Sequence, residues 1–189
     1  MILEQLKKTF TVTDVLEQKK NLTFFTVPKE QLEMTLILLR DHHGYSHLSF
    51  IVGIDLIEEN LFKFTYMVYN YELKHSFGIH CTISRENPVM DSMHHLWEQV
   101  GTYQRELREM LGIDFPGSPR LEENLSLDEG WDGPPPMRRD FDTKEYSNNT
   151  FFQREGRVNY DPREYMREKL YPDFPKEQSD RLLNNGGKK

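Results

Sequence analysis

The sequence has one cysteine, Cys81, in 189 residues. A single thiol cannot close an intrachain disulfide, and it cannot by itself hold a cysteine-ligated iron–sulfur cluster. Cys81 falls on the apolar side of an alternating segment, where we expect a buried, inert thiol, because reactive cysteines need accessible, electropositive surroundings. With no convergent set of other ligands, the sequence predicts a chain that carries no cofactor of its own.

Long apolar runs and an excess of basic residues are also missing. The longest apolar stretch, residues 34–39, is far shorter than the ~20 residues that a membrane-spanning helix needs. The net charge of −7 argues against a general nucleic-acid or anionic-membrane surface. The N-terminus lacks the order of charge, apolar block and cleavage site that marks a signal peptide. We therefore expect a cytosolic protein, which is still compatible with docking on a membrane complex.

The familiar catalytic and nucleotide-binding motifs are absent as well. The sequence has no Gly-x-Gly-x-x-Gly, Walker loop, Gly-x-Ser-x-Gly or Cys-x-x-Cys. Histidines cluster at 42–43 and at 94–95, but neighbouring residues of a helix point about 100° apart and do not chelate one ion together. The pattern favours ordinary histidines, which suit a helix end, over a metal site.

Residues 1–111 carry the periodicities of an α+β domain. Apolar and polar residues alternate in several segments, which is typical of a small, mostly antiparallel sheet with one buried and one wetter face, packed with helices. The predicted strands cover residues 22–27, 48–54, 62–68 and 73–83. The predicted helices cover residues 1–8, 29–42, 91–100 and 103–111; Gly44 ends the second, Gly101-Thr102 separates the last two, and Gly112 ends the last.

After Gly112 the periodicity stops. The long loop that follows is rich in glycine and proline, yet it carries Phe115, Trp131 and Met137 at wide intervals. Large side chains on an extended segment without a local core predict a chain that lies along another protein. We expect residues 112–189 to form an extended partner-docking arm, with one short helix near 161–170 that Asp161-Pro162 opens.

The predicted helix 103–111 is densely charged, and its charges leave three interpretations open. Glu106 and Glu109 lie three residues apart among Arg105 and Arg108, a spacing that supports ion pairs on a solvated helix face. Arg105 and Glu106 are also suited to burial against a partner, where a bidentate arginine pair fixes the docking geometry. The third interpretation is that the two glutamates form the acid/base pair of a free-standing enzyme, with His94 as a further candidate.

Two strings in this region resemble a known family. The string from Arg105 to Pro119 reads R-E-x-x-E-x-x-G-I-x-F-x-G-x-P, and the string from Gly130 to Asp140 reads G-W-x-G-x-P-P-x-R-R-D. In this order they resemble the signature of the 30-kilodalton subunit family of respiratory complex I. We refer to them below as the first and the second string.

Several positions depart from the family pattern. Gln104 stands for its first glutamate, Glu109 for its aspartate, Leu111 for its aromatic residue and Ser118 for its histidine. The basic pair after the first string is replaced by Glu122-Glu123. These departures resemble the relatives found in membrane-bound, energy-converting [NiFe] hydrogenases and in ferredoxin-linked sulfur-reducing complexes more than a quinone-reducing subunit.

The resemblance implies a cofactor-free peripheral subunit at the cytoplasmic face of the cell membrane. Its partners would be a hydrogenase-like large subunit and an iron–sulfur small subunit, which hold the iron–sulfur clusters and, in a hydrogenase, the NiFe centre; reduced ferredoxin would be the electron donor. The residues expected at the partner interface are Arg105, Glu106, Glu109, Phe115, Pro119, Trp131, Pro136, Arg138, Arg139 and Asp140. The alternatives are a subunit of a sulfur- or polysulfide-reducing or NADH–quinone relative, a free-standing adaptor, and the enzyme described above.

Overall fold

The computed structural model describes residues 2–151 of the chain. Its strands are β1 (Thr13–Lys19), β2 (Leu22–Thr26), β3 (His47–Leu56), β4 (Leu61–Asn70) and β5 (His75–Ser84). Its α-helices are α1 (Ile2–Thr9), α2 (Lys29–His43), α3 (Val100–Leu111) and α4 (Thr143–Thr150), and a 3-10 turn covers Ile57–Glu59. The predicted helix near 161–170 lies outside the described residues.

The strands form a mixed, mainly antiparallel sheet in the order β1-β2-β5-β4-β3. β1 and β2 are an antiparallel hairpin, and β3, β4 and β5 pair antiparallel in sequence. β2 and β5 are the parallel pair, with Leu22 opposite Ser76 and Thr26 opposite His80. The predicted α+β class with a mostly antiparallel sheet is confirmed.

The chain divides into two compact units, of which the first ends at Thr143. This unit runs past the predicted boundary at residue 111, because Ile113 and Phe115 are fully buried in its core at 0 % exposure. An aperiodic segment can bury its apolar side chains one at a time wherever the core offers space, so the loss of periodicity did not mark the end of the domain. α4 lies almost entirely in the second unit and has no buried residue.

One face of the sheet forms the core together with the helices. Phe62, Phe64, Tyr66 and Val68 of β4 are all fully buried on this face, which we call the inner face. Their neighbours on β5 and the apolar stripe of α2 complete the cluster. Gly44 ends α2 in the left-handed conformation (φ 71°), as its position in the sequence predicts.

β3 contains a bulge that reverses the direction of its side chains. An uninterrupted strand would place Leu48, Phe50, Val52 and Ile54 on one face, but Leu48 pairs with Val68 while Phe50 pairs with Met67, so the register slips between them. Leu48 stays buried at 1 %, whereas Phe50, Val52 and Ile54 are 41 %, 41 % and 45 % exposed on the opposite, outer face. Alternation shows which residues share a face only while the register is kept.

The predicted helix over residues 91–100 is wrong, and so is the interruption before the next helix. Residues 91–99 form turns, and α3 runs without a break from Val100 through Gly101. A Cβ at Gly101 would lie 3.4 Å from His94 Cδ2 and 3.5 Å from Pro119 Cγ. This glycine therefore lies inside the first turn of α3, in contact with two loop segments, and does not end a helix.

β1 was not predicted, because its sequence, TDVLEQK, lacks clear alternation and all of its residues are exposed. At the other end of the sheet, three side chains donate hydrogen bonds to carbonyl groups at the start of the edge strand β3. These bonds join Trp97 Nε1 to Ser46 O (2.8 Å), Gln99 Nε2 to Leu48 O, and Tyr103 OH to Ser49 O (3.0 Å). The turns before α3 thus satisfy backbone acceptors that an edge strand would otherwise leave open.

Candidate partner-docking surface

Arg105 attaches α3 to the loop that joins the two strings. Its Nε donates to the carbonyl of Glu123 (3.1 Å) and its Nη2 to the carbonyl of Asn124 (2.9 Å). The Arg105 side chain is only 14 % exposed. Its donors therefore fix the chain's own loop, and the interpretation that they pair with a partner carboxylate has no support from these contacts.

Glu109, one turn further along α3, holds the same loop by three backbone N–H groups in succession. Its Oε1 accepts from Leu125 (2.9 Å) and Leu127 (3.0 Å), and its Oε2 accepts from Ser126 (2.9 Å). Partial burial alone would raise the pKa of Glu109, but the three N–H donors outweigh it and lower the pKa below its usual range. A carboxylate held in its ionised form by three donors is a poor general acid or base near neutral pH.

Gly112 is the point where the two strings meet. It adopts φ 71°, and a Cβ at this position would lie 2.8 Å from Pro135 Cγ and 3.0 Å from Arg138 Nη2. Arg138 Nε donates to the carbonyl of Leu111 at 2.7 Å, and the guanidinium carbon lies 5.4 Å from the centre of the Phe62 ring. The glycine thus has two reasons to be present: its conformation and the close approach of the second string.

A buried carboxylate ties the end of the second string to the sheet. Asp55 of β3, whose side chain is 1 % exposed, accepts Arg85 Nε (2.9 Å) and Nη2 (3.2 Å) and the backbone N–H of Arg139 (2.9 Å). Arg85 also bonds Asp140 at 2.7 Å and holds the pKa of Asp140 below its usual range. The Arg139 side chain pairs with Glu58. Each residue of the Arg138-Arg139-Asp140 run therefore contacts this chain.

Trp131 lies half-buried at the rim of a cleft between α3 and the loop. Its Nε1 donates to the carbonyl of Gly133 (2.8 Å), and its ring centre lies 5.9 Å from that of Phe141. The cleft has a volume of about 210 Å³. Among its lining residues are Arg105, Arg108, Glu109, Leu127, Trp131 and Pro135. Pro136, which follows Pro135 in the sequence, is half-buried.

The remaining predicted interface residues have different surroundings. Phe115 is a core residue of this domain, with its ring centre 6.1 Å from that of Phe64. Pro119 is exposed next to Gly101. Glu106 is exposed on α3, and within residues 2–151 its carboxylate has no hydrogen bond or ion pair. The structure therefore brings the two strings together, and among residues 2–151 Glu106 is the one charged side chain of α3 without a hydrogen bond or ion pair.

Sequence reasoning missed Asp55 and Arg85, which are as deeply involved in the site as any predicted residue. A signal was available: Asp55 stands within an otherwise apolar strand, and a charge on such a strand needs a partner if it faces the core. The sequence does not identify Arg85 as the partner of Asp55, because Arg85 follows β5 and comes close to Asp55 only when β3, β4 and β5 pair.

Metal ligands, the single cysteine and membrane-spanning helices are the remaining features that the sequence raised. No group of three or more His, Cys, Asp or Glu in residues 2–151 is arranged to hold a metal ion. Cys81 is buried as predicted, and burial raises the pKa of its thiol to about 12. In this part of the chain we also find no helix with the length and apolarity to cross a membrane.

Comparison with known protein families gives one match that covers both strings. The family described as respiratory-chain NADH dehydrogenase, 30 Kd subunit, matches residues 25–147, which is well over half of the chain. That range includes β3, β4, β5, α2, α3 and the Asp55 cluster.

Individual members are similar over most of this chain. The NADH-quinone oxidoreductase C subunit of Novosphingobium aromaticivorans is 31 % identical over 161 residues, which are 84 % of this chain and 51 % of that protein. The protein of the same name from Erythrobacter litoralis is 31 % identical over 150 residues, 79 % of this chain and 59 % of that protein. The chain spans little more than half the length of these relatives. The corresponding protein of Moorella thermoacetica is 24 % identical over 139 residues and is covered to 92 %.

Solved structures share the fold. A chain of the archaeal membrane-bound sulfane sulfur reductase (MBS), described as a respiratory membrane complex, superposes with a TM-score of 0.74 at 22 % identity and covers 85 % of this chain and 95 % of its own. The trypsin-resistant fragment of Nqo5 gives a TM-score of 0.52 at 20 % identity, over 62 % of this chain and 95 % of its own. From the match over residues 25–147 we conclude that this chain belongs to the family of the 30-kilodalton subunit of respiratory-chain NADH dehydrogenases.

Proposed function

We propose that this chain is a structural subunit of a complex I-like, membrane-bound respiratory oxidoreductase. It holds a hydrogenase-like large subunit and an iron–sulfur small subunit in register at the cytoplasmic face of the membrane. Electrons come from reduced ferredoxin and pass through clusters in the partner subunits, while this chain carries no cofactor. Its contribution is geometric, since electron transfer between clusters depends on the distances that the assembly maintains.

The observation that carries the proposal is that the two strings close on each other and leave one charge free. Arg105 and Glu109 are occupied by the loop over residues 123–127, and Asp140 is occupied by Arg85. These contacts make a pre-organised surface in which few residues need to be ordered on binding. Glu106 projects from it without a partner among the described residues, as expected for a residue that fixes orientation against another subunit.

The same contacts disfavour a free-standing enzyme. Glu109 is held ionised by backbone donors, and Glu106 is exposed with no base or acid in hydrogen-bond reach in the described part of the chain. An acid/base pair needs two groups with opposed tasks facing one pocket. Neither glutamate meets that requirement here.

The hydrogenase or sulfur-reducing type is supported by the loop after the first string. Glu122 replaces a basic residue of the family pattern, and its carboxylate pairs with Arg108 at 2.5 Å. An acidic residue therefore pairs with α3 at a position where the family pattern has a basic one. The shared fold with a chain of the archaeal sulfane sulfur reductase, over 95 % of that chain, supports the same group of relatives.

The test is affinity purification of the full chain from native membranes, with identification of the co-purifying proteins. We expect a large subunit and an iron–sulfur subunit, with ferredoxin-dependent reduction of protons or sulfur compounds by the purified complex. Recovery with a quinone-reducing, NADH-dependent assembly would replace the hydrogenase-type proposal by the NADH–quinone relative. Recovery of the chain alone, with turnover of its own, would overturn the structural role.

A further inference from the structure

The outer face of the sheet has exposed apolar side chains, whereas the buried residues of α1, α2 and α3 all belong to the core on the inner face. The helices α2 and α3 pack on the inner face, where Leu107 and Leu111 reach Gly53 and where Leu32, Leu36 and Leu39 join the core. A sheet face with an apolar surface is stable only when another element covers it. The apolar side chains of the outer face therefore need a covering element that α1, α2 and α3 do not supply.

The pairing register arranges the residues of this face in rows across the strands. One row runs from edge to edge without a polar side chain and consists of Phe50, Met67, Gly78, Phe24 and Leu16. Phe50 and Leu16 at its ends are 41 % and 58 % exposed. A Cβ at Gly78 would lie 2.2 Å from Phe24 Cδ1, so the glycine lets the Phe24 ring lie flat across the row. A continuous apolar row across the strands gives the apolar stripe of an amphipathic helix a surface on which to pack.

The adjoining rows add further apolar exposure and two lysines, Lys63 on β4 and Lys19 at the hairpin edge. Val52 and Ile54 are 41 % and 45 % exposed, and Thr65 and His80 lie between them and the hairpin, joined by a hydrogen bond of 2.9 Å. Lys63 pairs with Ile54 in the register and is half-buried. Within residues 2–151 its ammonium group has no ion pair, although the chain has 31 acidic and 24 basic residues.

We infer that the outer face docks an amphipathic helix of a neighbouring subunit, whose apolar stripe covers the row from Phe50 to Leu16 and whose carboxylate pairs with Lys63. The helix completes a three-layer arrangement in which this chain supplies the sheet and one helical layer. The inference rests on the proposed function, because it takes the neighbour to be a subunit of the same respiratory complex.

Charge complementarity selects this occupant over a second copy of the chain. The positions of β2, β5, β4 and β3 that the register puts on the outer face include no Asp or Glu. On the hairpin strand β1, the carboxylate of Asp14 accepts a hydrogen bond from Thr13 Oγ1 at 3.2 Å. Two copies face to face would therefore bury Lys63 of each without a carboxylate from the sheet, at a cost that an acidic helix avoids.

The test places a photo-crosslinking residue in the full chain inside the native complex. Val52→p-benzoylphenylalanine sits on the outer face, and Met34→p-benzoylphenylalanine, 56 % exposed on α2, is the matched control on the other side of the sheet. We expect the Val52 probe, and not the Met34 probe, to link to a helical peptide of a neighbouring subunit that contains Asp or Glu. Links from Val52 to this chain itself, to a second copy, or to nothing while the complex assembles would overturn the inference and leave the proposed function intact.

A charge variant gives an independent measurement. Lys63→Glu should lower recovery of the complex by about tenfold, while Lys63→Arg should retain it, because a single interfacial charge pair typically affects affinity on this scale. Both variants should melt within a few degrees of the unsubstituted chain, because Lys63 has no ion pair in the described residues. Equal recovery of both variants would overturn the pairing. Failure of the unsubstituted chain to co-purify with any subunit would overturn the proposed function together with this inference.

Discussion

Arg138 Nε and the Leu111 carbonyl oxygen are joined by a hydrogen bond of 2.7 Å, which connects the second string to the last residue of α3. A helix leaves its final carbonyl groups unpaired, and here an arginine from 27 residues further along the chain satisfies one of them. The neighbouring bond from the Met137 N–H to the Met110 carbonyl (3.0 Å) continues the contact along the helix end. The two strings are therefore parts of one local structure.

Gly112→Ala should destabilise the domain through both conformation and contact. Its φ of 71° costs an L-residue about 1–2 kcal/mol, and the added Cβ would meet Pro135 Cγ at 2.8 Å. Thermal unfolding of the full chain measures the loss. Two matched variants separate the causes. Gly117→Ala changes a residue with φ 80° that has no atom within 4 Å of an added Cβ, and Gly130→Ala changes a residue that has the same open space and no positive φ. We expect the order of loss to be Gly112, Gly117, Gly130, and equal losses for the first two would show that the contact with Pro135 is unimportant.

Asp55→Asn should cost about 2–4 kcal/mol of unfolding free energy, because it leaves the guanidinium of Arg85 partly unpaired near the core. The matched variant is Asp140→Asn, whose carboxylate bonds the same arginine but is 52 % exposed, and whose loss should stay below about 1 kcal/mol. Urea denaturation followed by tryptophan fluorescence gives both values. A smaller effect for Asp55 than for Asp140 would contradict the assignment of Asp55 as the central acceptor.

Glu109→Gln should destabilise the chain by about 1–2 kcal/mol near neutral pH, because an amide cannot accept three N–H donors as a carboxylate does. The pKa of Glu109 is lowered in the folded state, so its stabilisation is complete above the unfolded value of about 4.3 and is lost as the pH falls through the folded pKa. The difference between the parent chain and Glu109→Gln should therefore shrink in acid. Glu106→Gln is the control, and we expect it to be nearly neutral in stability. A difference that grows in acid would disprove the three-donor account.

Trp131→Ala should release the chain from its complex, since a buried aromatic anchor is worth roughly 2–4 kcal/mol at an interface. Glu106→Arg should weaken assembly as well, by reversing the unpaired charge of α3. Tyr71→Ala, which removes an aromatic side chain that is 62 % exposed and lies outside both strings, is the matched control with little expected effect. Recovery of the complex from membranes is measured beside the melting temperature of each isolated variant. If Trp131→Ala lowers that temperature as much as Asp55→Asn, Trp131 serves this chain's own packing with Phe141 instead.

The periodic parts of the fold could be read from the sequence, and the aperiodic parts could not. β4, β5 and α2 follow their predicted patterns because each has one uninterrupted buried face. The bulge after Leu48 leaves no mark in the alternation, and it turned an expected core stripe into the exposed Phe50, Val52 and Ile54. A register shift depends on the partner strand, which a local pattern does not contain.

The sequence named the residues of the candidate site as interface residues, but it did not predict the contacts that they make within this chain. Arg105, Glu109 and Arg138 were expected to meet another protein, and the structure pairs each with a backbone group of this chain. Sequence identifies residues that need partners, yet backbone carbonyl and N–H groups are available everywhere and carry no sequence signal. Glu106 and Trp131 remain predictions for the interface.

The start of β3 is covered by side chains of the chain itself, those of Trp97, Gln99 and Tyr103. This covering affects how the chain behaves when no other protein is bound to it. A protein waiting for its partners exposes whatever they will later cover, and an open strand edge is the most hazardous of such surfaces, since it templates intermolecular pairing. With these carbonyl groups occupied, the start of this edge has fewer free acceptors for pairing with another strand. The chain thus protects the start of β3 with its own side chains, without help from another protein.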